Sequence, residues 1–212
     1  MNTEEKIFEL LNTSKNGVIT TAQVTNLGLH RGILKKLVNN SIVHPVGRGI
    51  YVQNDVWEDD FYLLQRKYER GIYSHDTALY LLGYSDRTPA RYTMTFPKGY
   101  NAPSLKNENV IIKRVILENY NFGKAEIESP SGNLIYVYDL ERSLCDMLRG
   151  NSGDIEIINE AMKRYVKSKN KDINKLLKYA DQLHVKTKVQ HYLEVLLWLQ
   201  KNPMQLKALI KN

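Results

Sequence analysis

The chain lacks several features that would place it outside the cytoplasm. Its single cysteine, Cys145, leaves no second thiol for an internal disulfide. No run of roughly eighteen or more apolar residues occurs, so we expect no membrane span. The start, MNTEEKIFEL, has two early acidic residues and no apolar segment, so we expect no secretory signal. These absences predict a cytoplasmic protein.

The chain also lacks the common signatures of metal and cofactor chemistry. No HExxH sequence and no paired Cys/His spacing occurs, and the glycines form neither a phosphate-binding GxxxxGK[ST] loop nor a GxGxxG turn. We therefore expect no metal and no cofactor. The scattered histidines are His30, His44, His75, His184 and His191.

Acidic residues are missing from one long window, residues 10–54. The basic residues in that window are Lys15, Arg31, Lys35, Lys36 and Arg48. A cationic stretch without competing carboxylates suits a phosphate backbone, since binding there releases counterions. The alternative interpretation is a solvated surface of a small helical domain. The net charge of +7 lies mostly elsewhere, because residues 161–212 carry twelve basic and three acidic residues.

Residues 20–52 have the pattern of a helix, a tight turn, a second helix and a short hairpin. Thr20 or Thr21 can cap the first helix, and Gly28 suits its end. His30 opens the second helix, and β-branched runs then flank Gly47-Arg48, a pair suited to a hairpin turn. This order predicts a winged helix-turn-helix, whose second helix enters the major groove of DNA.

The remaining pattern predicts an α+β protein with two domains. Residues 1–54 form the winged helix-turn-helix, and residues 55–212 form a second domain. Its residues 55–150 mix helices with alternating strands, and residues 151–212 read as helical and basic, including a peripheral helix over 204–210.

One group of carboxylates, Asp139, Glu141 and Asp146, raises the question of catalysis. We interpret Asp139 as a helix cap, and Glu141 and Arg142 as partners of Arg149 and Asp146 on the same helix. The alternative is the site of a metal-dependent nuclease, which needs a third carboxylate from a strand and a lysine nearby. Cys145 lies beside an apolar helical stripe, which indicates a buried structural thiol.

The sequence resembles the AbiEi family of antitoxins from bacterial abortive-infection systems. The resemblance covers nearly the full chain. The segments that carry it are GRGIYV (47–52), GIYSHDTALYLLGYSDRTP (71–89), TMTFPKGYN (93–101) and YDLERSLCDMLR (138–149).

The resemblance implies a type IV antitoxin that confers phage resistance and represses transcription of its own operon. Such a protein binds inverted repeats in its promoter through the winged helix, as a monomer or by cooperative assembly. Its partner is a nucleotidyltransferase-like toxin, which it counteracts without a stable complex. Its own role is not enzymatic.

We carry the DNA contacts of that family over to the matching helix and hairpin of this chain. Arg31 is the candidate for a base edge, by bidentate contact with guanine. Lys35 and Lys36 are candidates for phosphates, and Arg48 for the adjacent backbone or minor groove. His30 or Thr21 is a candidate for a phosphate at a helix N-terminus.

A second basic set lies on the C-terminal helices, and its role stays open. It can clamp flanking DNA phosphates, hold an RNA or nucleotide that the toxin also uses, or be a solvated surface. Its members are Lys163, Arg164, Lys167, Lys169, Lys171, Lys175 and Lys178. Two other functions also stay open, a nuclease targeted by the winged helix and a protein-interaction module with a degenerate winged helix.

Overall fold

The computed structural model describes residues 3–14, 17–150 and 154–201. The chain is mixed α+β, with ten α-helices and two sheets among the described residues. It divides into two compact units, Met1–Arg70 with Glu126–Ile135 and Gly71–Ala125 with Tyr136–Asn212. Within the described ranges, no helix has the length and apolarity that crossing a membrane needs. The helix predicted over 204–210 lies outside the described residues.

The first unit contains four helices and a three-stranded antiparallel sheet among its described residues. Its elements are α1 (Thr3–Thr13), β1 (Val18–Thr20), α2 (Thr21–Asn26), α3 (Gly32–Asn39), β2 (Val43–Gly47), β3 (Ile50–Gln53) and α4 (Asp60–Lys67). The strand order is β1-β3-β2, so β3 lies at the centre of the sheet. The helical core consists of Leu10, Ile19, Val24, Leu29, Leu34, Leu37 and Val43.

The first unit extends beyond residue 54, where the sequence pattern places a boundary. Leu63 of α4 is buried with Val18, Ile50 and Val52 of the sheet, so α4 packs on the first unit. Asp59 caps α4 by accepting from the backbone N–H of Tyr62 at 3.1 Å. The other oxygen of Asp59 accepts from Asn133 at 2.8 Å and also from the hydroxyl of Ser129, which joins residues 126–135 to this unit.

The remaining described elements form a five-stranded sheet and a group of helices. They are β4 (Ile72–Tyr73), α5 (His75–Leu81), β5 (Tyr92–Pro97), a 3-10 helix (Pro103–Asn107), β6 (Val110–Val115), α6 (Leu117–Tyr120), β7 (Lys124–Glu128), β8 (Leu134–Tyr138), α7 (Leu140–Leu148), α8 (Ile155–Lys167), α9 (Ile173–Gln182) and α10 (Lys186–Lys201). They belong to the second unit, except for the residues of β7 and β8 that fall within Glu126–Ile135. The strand order is β6-β5-β4-β8-β7. Strand β4 pairs antiparallel with β5 and parallel with β8.

Helix α7 lies at the centre of the second unit, because its whole length from Glu141 to Leu148 is buried. Leu144, Cys145 and Leu148 belong to an apolar cluster with residues of α5, α8, α9 and α10. The buried position of Cys145 agrees with its interpretation as a structural thiol, and burial raises the pKa of that thiol well above its ordinary value.

Candidate nucleic-acid interface

Helix α3 separates apolar and basic side chains on two sides. Leu34 and Leu37 are buried, whereas Lys35 and Lys36 are exposed. The helix begins at Gly32 and not at His30, with Arg31 at the N-cap position, and the imidazole of His30 bonds to the turn just before it. Its Nδ1 accepts from the backbone N–H of Gly32 at 3.1 Å, which leaves Nε2–H as the donor that the exposed ring offers to solvent.

The first turn of α2 is fixed by a capping box at Thr20. The backbone N–H of Gln23 donates to Thr20 Oγ1 at 3.2 Å, and the backbone N–H of Thr20 donates to Gln23 Oε1 at 2.7 Å. Thr21 is therefore the first helical residue and is half-buried. Its own N–H donates to the carbonyl oxygen of Gly49 at 3.0 Å, which ties the start of α2 to the β2–β3 hairpin.

The β2–β3 hairpin turns at Arg48 and Gly49, one residue later than the sequence pattern predicts. Gly47 still belongs to β2 and pairs with Ile50. Gly49 adopts φ +73°, the left-handed conformation that an L side chain rarely takes, so the glycine required by the turn is the second one. Arg48 is exposed at the tip.

Arg31 is held against the outer side of α2. Its Nε donates to the hydroxyl of Thr25 at 3.2 Å, and that hydroxyl donates to the carbonyl oxygen of Thr21 at 2.8 Å. Thr21 and Thr25 are one helical turn apart and share one side of α2. Because Thr21 also contacts Gly49, this side of α2 runs from the guanidinium of Arg31 to the turn that carries Arg48.

The six residues predicted to contact DNA are therefore placed as follows. His30, Arg31, Lys35, Lys36 and Arg48 are exposed, and Thr21 is half-buried. Thr25 was not predicted to belong to this surface, although it lies four residues after Thr21 and therefore on the same side of a helix. We call these seven residues, Thr21, Thr25, His30, Arg31, Lys35, Lys36 and Arg48, the α2–α3 basic face.

The acidic side chain of Glu58 contacts strand β2, where it is paired with His44. His44 Nε2 lies 2.8 Å from Glu58 Oε1, and His44 Nδ1 lies 2.6 Å from Asn54 Oδ1. The hydrogen bond that His44 donates to Asn54 and the pair with Glu58 together raise the pKa of His44 above its ordinary value. The carboxylate of Glu58 thus has a local partner on β2.

The seven residues of the C-terminal basic set differ in their exposure and in their ion-pair partners. Arg164 forms ion pairs with Asp86 and Glu160, and Lys175 lies 3.1 Å from Asp139 Oδ2 and 3.0 Å from Glu141 Oε2. Lys171 is half-buried and donates to the carbonyl oxygen of Ser168 at 3.0 Å. The remaining members, Lys163, Lys167, Lys169 and Lys178, are exposed. Four of the seven residues are thus fully exposed lysines, and the other three are half-buried with partners in the chain.

The carboxylates that raised the question of catalysis have structural partners. Asp139 caps α7 by accepting from the backbone N–H of Arg142 at 2.9 Å, as predicted. Asp146 accepts from Arg142 Nε at 2.9 Å, also as predicted. Glu141 instead pairs with Lys175 of α9, a partner that sequence spacing does not reveal.

Two of these carboxylates, Asp139 and Glu141, share the ammonium of Lys175. Burial opposes the charge of Lys175, but the bond to Glu141 and the charge of Asp139 outweigh it and raise the pKa of Lys175. Across the part of the chain that the structure describes, no three His, Cys, Asp or Glu side chains are grouped as metal ligands. Of the two requirements of the nuclease alternative, a nearby lysine is present as Lys175, and no third carboxylate is grouped with Asp139 and Glu141 among the described residues.

Comparison with known proteins shows a fold relationship. Neither a protein-family model nor a curated protein matches the sequence. Among solved structures, the chain is similar to the crystal structure of RV2827C protein from Mycobacterium tuberculosis, with a TM-score of 0.56 and 17% identity. The match covers 84% of this chain and 70% of that chain. At this identity the similarity concerns the fold alone.

Proposed function

We propose that the first unit contains a winged helix-turn-helix that binds double-stranded DNA through the α2–α3 basic face. In this assignment α3 enters the major groove and the β2–β3 hairpin is the wing. The observation that carries the proposal is the chain of contacts from Arg31 through Thr25 and Thr21 to Gly49. These contacts connect two exposed arginines, Arg31 and the hairpin-tip Arg48, and neither has an ion-pair partner among the described residues.

The roles within the face follow from side-chain chemistry. Arg31 has a planar guanidinium that can bind guanine with two parallel hydrogen bonds, so it is the proposed base contact. Lys35 and Lys36 carry compact charges on flexible stems and suit phosphates. Arg48, at the hairpin tip, suits the adjacent backbone or minor groove, and Thr21 and His30 offer polar groups to phosphates.

For the whole chain we propose an AbiEi-type antitoxin that represses its own operon and opposes a nucleotidyltransferase-like toxin without a stable complex. The support for this finer role is the four sequence segments that resemble the family. The proposal assigns no catalysis and no cofactor to this chain. It places the target in the promoter of the operon, with inverted half-sites separated by multiples of about 34 Å.

The decisive experiment compares single substitutions in binding to promoter DNA and to scrambled DNA of the same length. We expect Arg31→Ala to weaken promoter binding by about 1–3 kcal/mol and to erase the preference over scrambled DNA. Lys35→Ala should weaken both DNAs alike and reduce the salt slope by about one. Lys98→Ala removes an exposed lysine of the second unit and serves as the matched control. Equal effects of Arg31→Ala and Lys98→Ala would refute the proposal.

The antitoxin role has its own test in cells. If the exposed C-terminal lysines act on nucleic acid, the triple substitution of Lys163, Lys167 and Lys178 by Glu should reduce repression or toxin rescue. Lys98→Glu is the control, because it reverses one exposed charge outside that set. Full repression and full rescue in the triple variant would assign these lysines to a solvated surface.

A further inference from the structure

A small cavity of about 190 Å³ opens in the second unit. Its polar lining combines both signs of charge with an imidazole, from His75, Asp76, Lys113 and Asp154. Polar residues of opposite charge around one small space are expensive to desolvate unless they are paired with each other or with a bound molecule. The pairing of each group therefore decides what the cavity can hold.

His75 lines the cavity and is bonded to Ser74. The Thr95 hydroxyl donates to Ser74 Oγ at 2.8 Å, and Ser74 Oγ lies 3.0 Å from His75 Nδ1. A Ser74 hydroxyl that accepts from Thr95 can donate its own proton to Nδ1, which places the ring proton on Nε2. In that tautomer the imidazole offers an N–H donor on its second nitrogen. Its backbone has φ +55°, a conformation unusual for a residue other than glycine.

Lys113 is placed on the same side of the sheet by strand register. In the parallel pair of β5 and β6, Lys113 lies opposite Thr95 and Ile111 lies opposite Thr93. The hydroxyls of Thr93 and Thr95 bond to Asp76 and Ser74 at the start of α5, so this side of the sheet faces α5. Among the described residues, the ammonium of Lys113 has no ion-pair or hydrogen-bond partner.

The two carboxylates of the lining differ in what they can still bind. Asp154 is fully engaged, because one oxygen caps α8 and the other accepts from Arg87 at 3.2 Å. Asp76 accepts from Thr93 Oγ1 at 2.7 Å through one oxygen, and its second oxygen has no partner within the described chain. The open groups of the cavity are therefore one ammonium, one imidazole N–H and one carboxylate oxygen.

The remaining wall is apolar, and the volume is modest. Ile111, Met147 and Ile157 complete the lining. A cavity of about 150 Å³ can hold benzene, so this space suits a molecule of roughly six to ten non-hydrogen atoms. Such a molecule needs an anionic group for Lys113 and His75, a cationic group for Asp76, and an apolar part for the remaining wall.

We propose that this cavity binds a small zwitterion with an apolar side chain, of the α-amino acid class. The ligand carboxylate would accept from Lys113 and His75, its ammonium would donate to Asp76, and its side chain would lie against Ile111 and Met147. The proposal is independent of DNA binding by the first unit.

Calorimetric titration of the full chain tests the proposal. The probes are L-valine, L-leucine and L-methionine, together with two relatives of leucine that lack one charge each, 4-methylpentanoate and 3-methylbutylamine. We expect saturable binding of at least one amino acid in the millimolar range or tighter. Each single-charge relative should bind roughly tenfold or more weakly than leucine, because each leaves one charged group of the cavity unpaired.

Two variants locate the binding. Lys113→Met keeps the length of the side chain and removes its charge, and we expect it to reduce affinity by roughly tenfold or more. Lys98→Met, in the exposed turn after β5, is the matched control and should bind as the original chain does. Thermal unfolding of both variants checks that they fold. Absence of binding for all three amino acids, equal binding of 4-methylpentanoate and leucine, or unchanged affinity in folded Lys113→Met would overturn the proposal.

Discussion

Gly49 of the hairpin turn lies so close to Thr21 that a Cβ atom on Gly49 would stand 2.7 Å from Thr21 Oγ1. The same glycine has φ +73°, so any side chain there meets both backbone strain and a steric contact. The hairpin that carries Arg48 is thus seated directly on the first turn of α2.

Gly49→Ala should destabilise the first unit more than a positive φ alone explains. Gly28→Ala is the matched control, because Gly28 has φ +69° and its Cβ would meet only Lys6 Nζ, at 3.6 Å. We expect about 1 kcal/mol of destabilisation for Gly28→Ala and about 1–3 kcal/mol more for Gly49→Ala. Urea unfolding measures both. In the double variant Thr21→Ala/Gly49→Ala the additional loss should disappear, and its persistence would show that the contact with Thr21 is not the cause.

Thr25→Val should weaken DNA binding without weakening the fold. Valine has the shape of threonine, but it removes the hydroxyl that accepts from Arg31 Nε, so the guanidinium loses one constraint. A hydrogen bond of this kind contributes about 0.5–1.5 kcal/mol, and we expect promoter affinity to fall by roughly three- to tenfold. Fluorescence anisotropy with labelled promoter DNA is the measurement. Thr13→Val, which removes an exposed hydroxyl of α1, should bind as the original chain does.

Local features of the fold were predictable where one side chain decides the outcome. Thr20, Asp139, Asp154 and Asp172 all cap helices in the structure, and each precedes its helix directly. The pair Arg142–Asp146 follows from i,i+4 spacing. Strand β4 was missed, because a two-residue strand has no periodicity of its own and depends on pairing with Thr95, Met94 and the distant Val137.

Helical spacing predicts which basic residues of the candidate site are exposed, but not which partners they have. Exposure of Arg31, Lys35 and Lys36 follows from helical spacing against Leu34 and Leu37. The partners of Arg164 and Lys175 in the C-terminal basic set were not predictable, because Asp86 and Glu141 are far away in sequence. Spacing along one helix indicates which charges share a side, but it contains no information on partners from other elements.

Arg142→Met should destabilise the second unit strongly. The guanidinium of Arg142 is fully buried, donates to Asp146 and also donates to the carbonyl oxygens of Asn119 and Phe122 at 2.7 and 2.9 Å. Its removal leaves a buried carboxylate without its cation, which typically costs about 3–5 kcal/mol. Arg149→Met is the matched control, because Arg149 is exposed at the end of the same helix.

Adding Asp146→Leu to Arg142→Met should recover part of this loss, because the uncompensated carboxylate is then gone. Denaturant unfolding of the two single variants and the double variant gives the coupling energy. If Arg142→Met lowers the free energy of unfolding by less than about 1 kcal/mol, or if the effects of the two substitutions are strictly additive, the Arg142–Asp146 ion pair does not stabilise the second unit as proposed.

The stability of the second unit should fall as the pH decreases below 6.5, through His75. Burial, together with the charges of Lys113, Arg142 and Arg149, lowers the pKa of His75 from its ordinary 6.5 to about 3. The unfolded chain therefore takes up a proton at His75 below pH 6.5, whereas the folded chain stays neutral there until about pH 3. The free energy of unfolding should thus decrease by up to about 1.4 kcal/mol per pH unit in this window, with no contribution from His75 above it.

The pH dependence is measured best between pH 6.5 and about 5, above the range in which ordinary carboxylates titrate. His75→Asn should flatten the slope, and asparagine tolerates the left-handed backbone at this position. His191→Asn, which removes an exposed imidazole of α10, should retain the slope that His75 produces.

Protonation of His44 has the opposite effect, on the first unit. Because the pKa of His44 is raised, its protonation stabilises the folded first unit below pH 6.5, and that stability is lost as the pH rises through the raised value. An undiminished slope in His75→Asn would show that the imidazole is not held neutral by its surroundings.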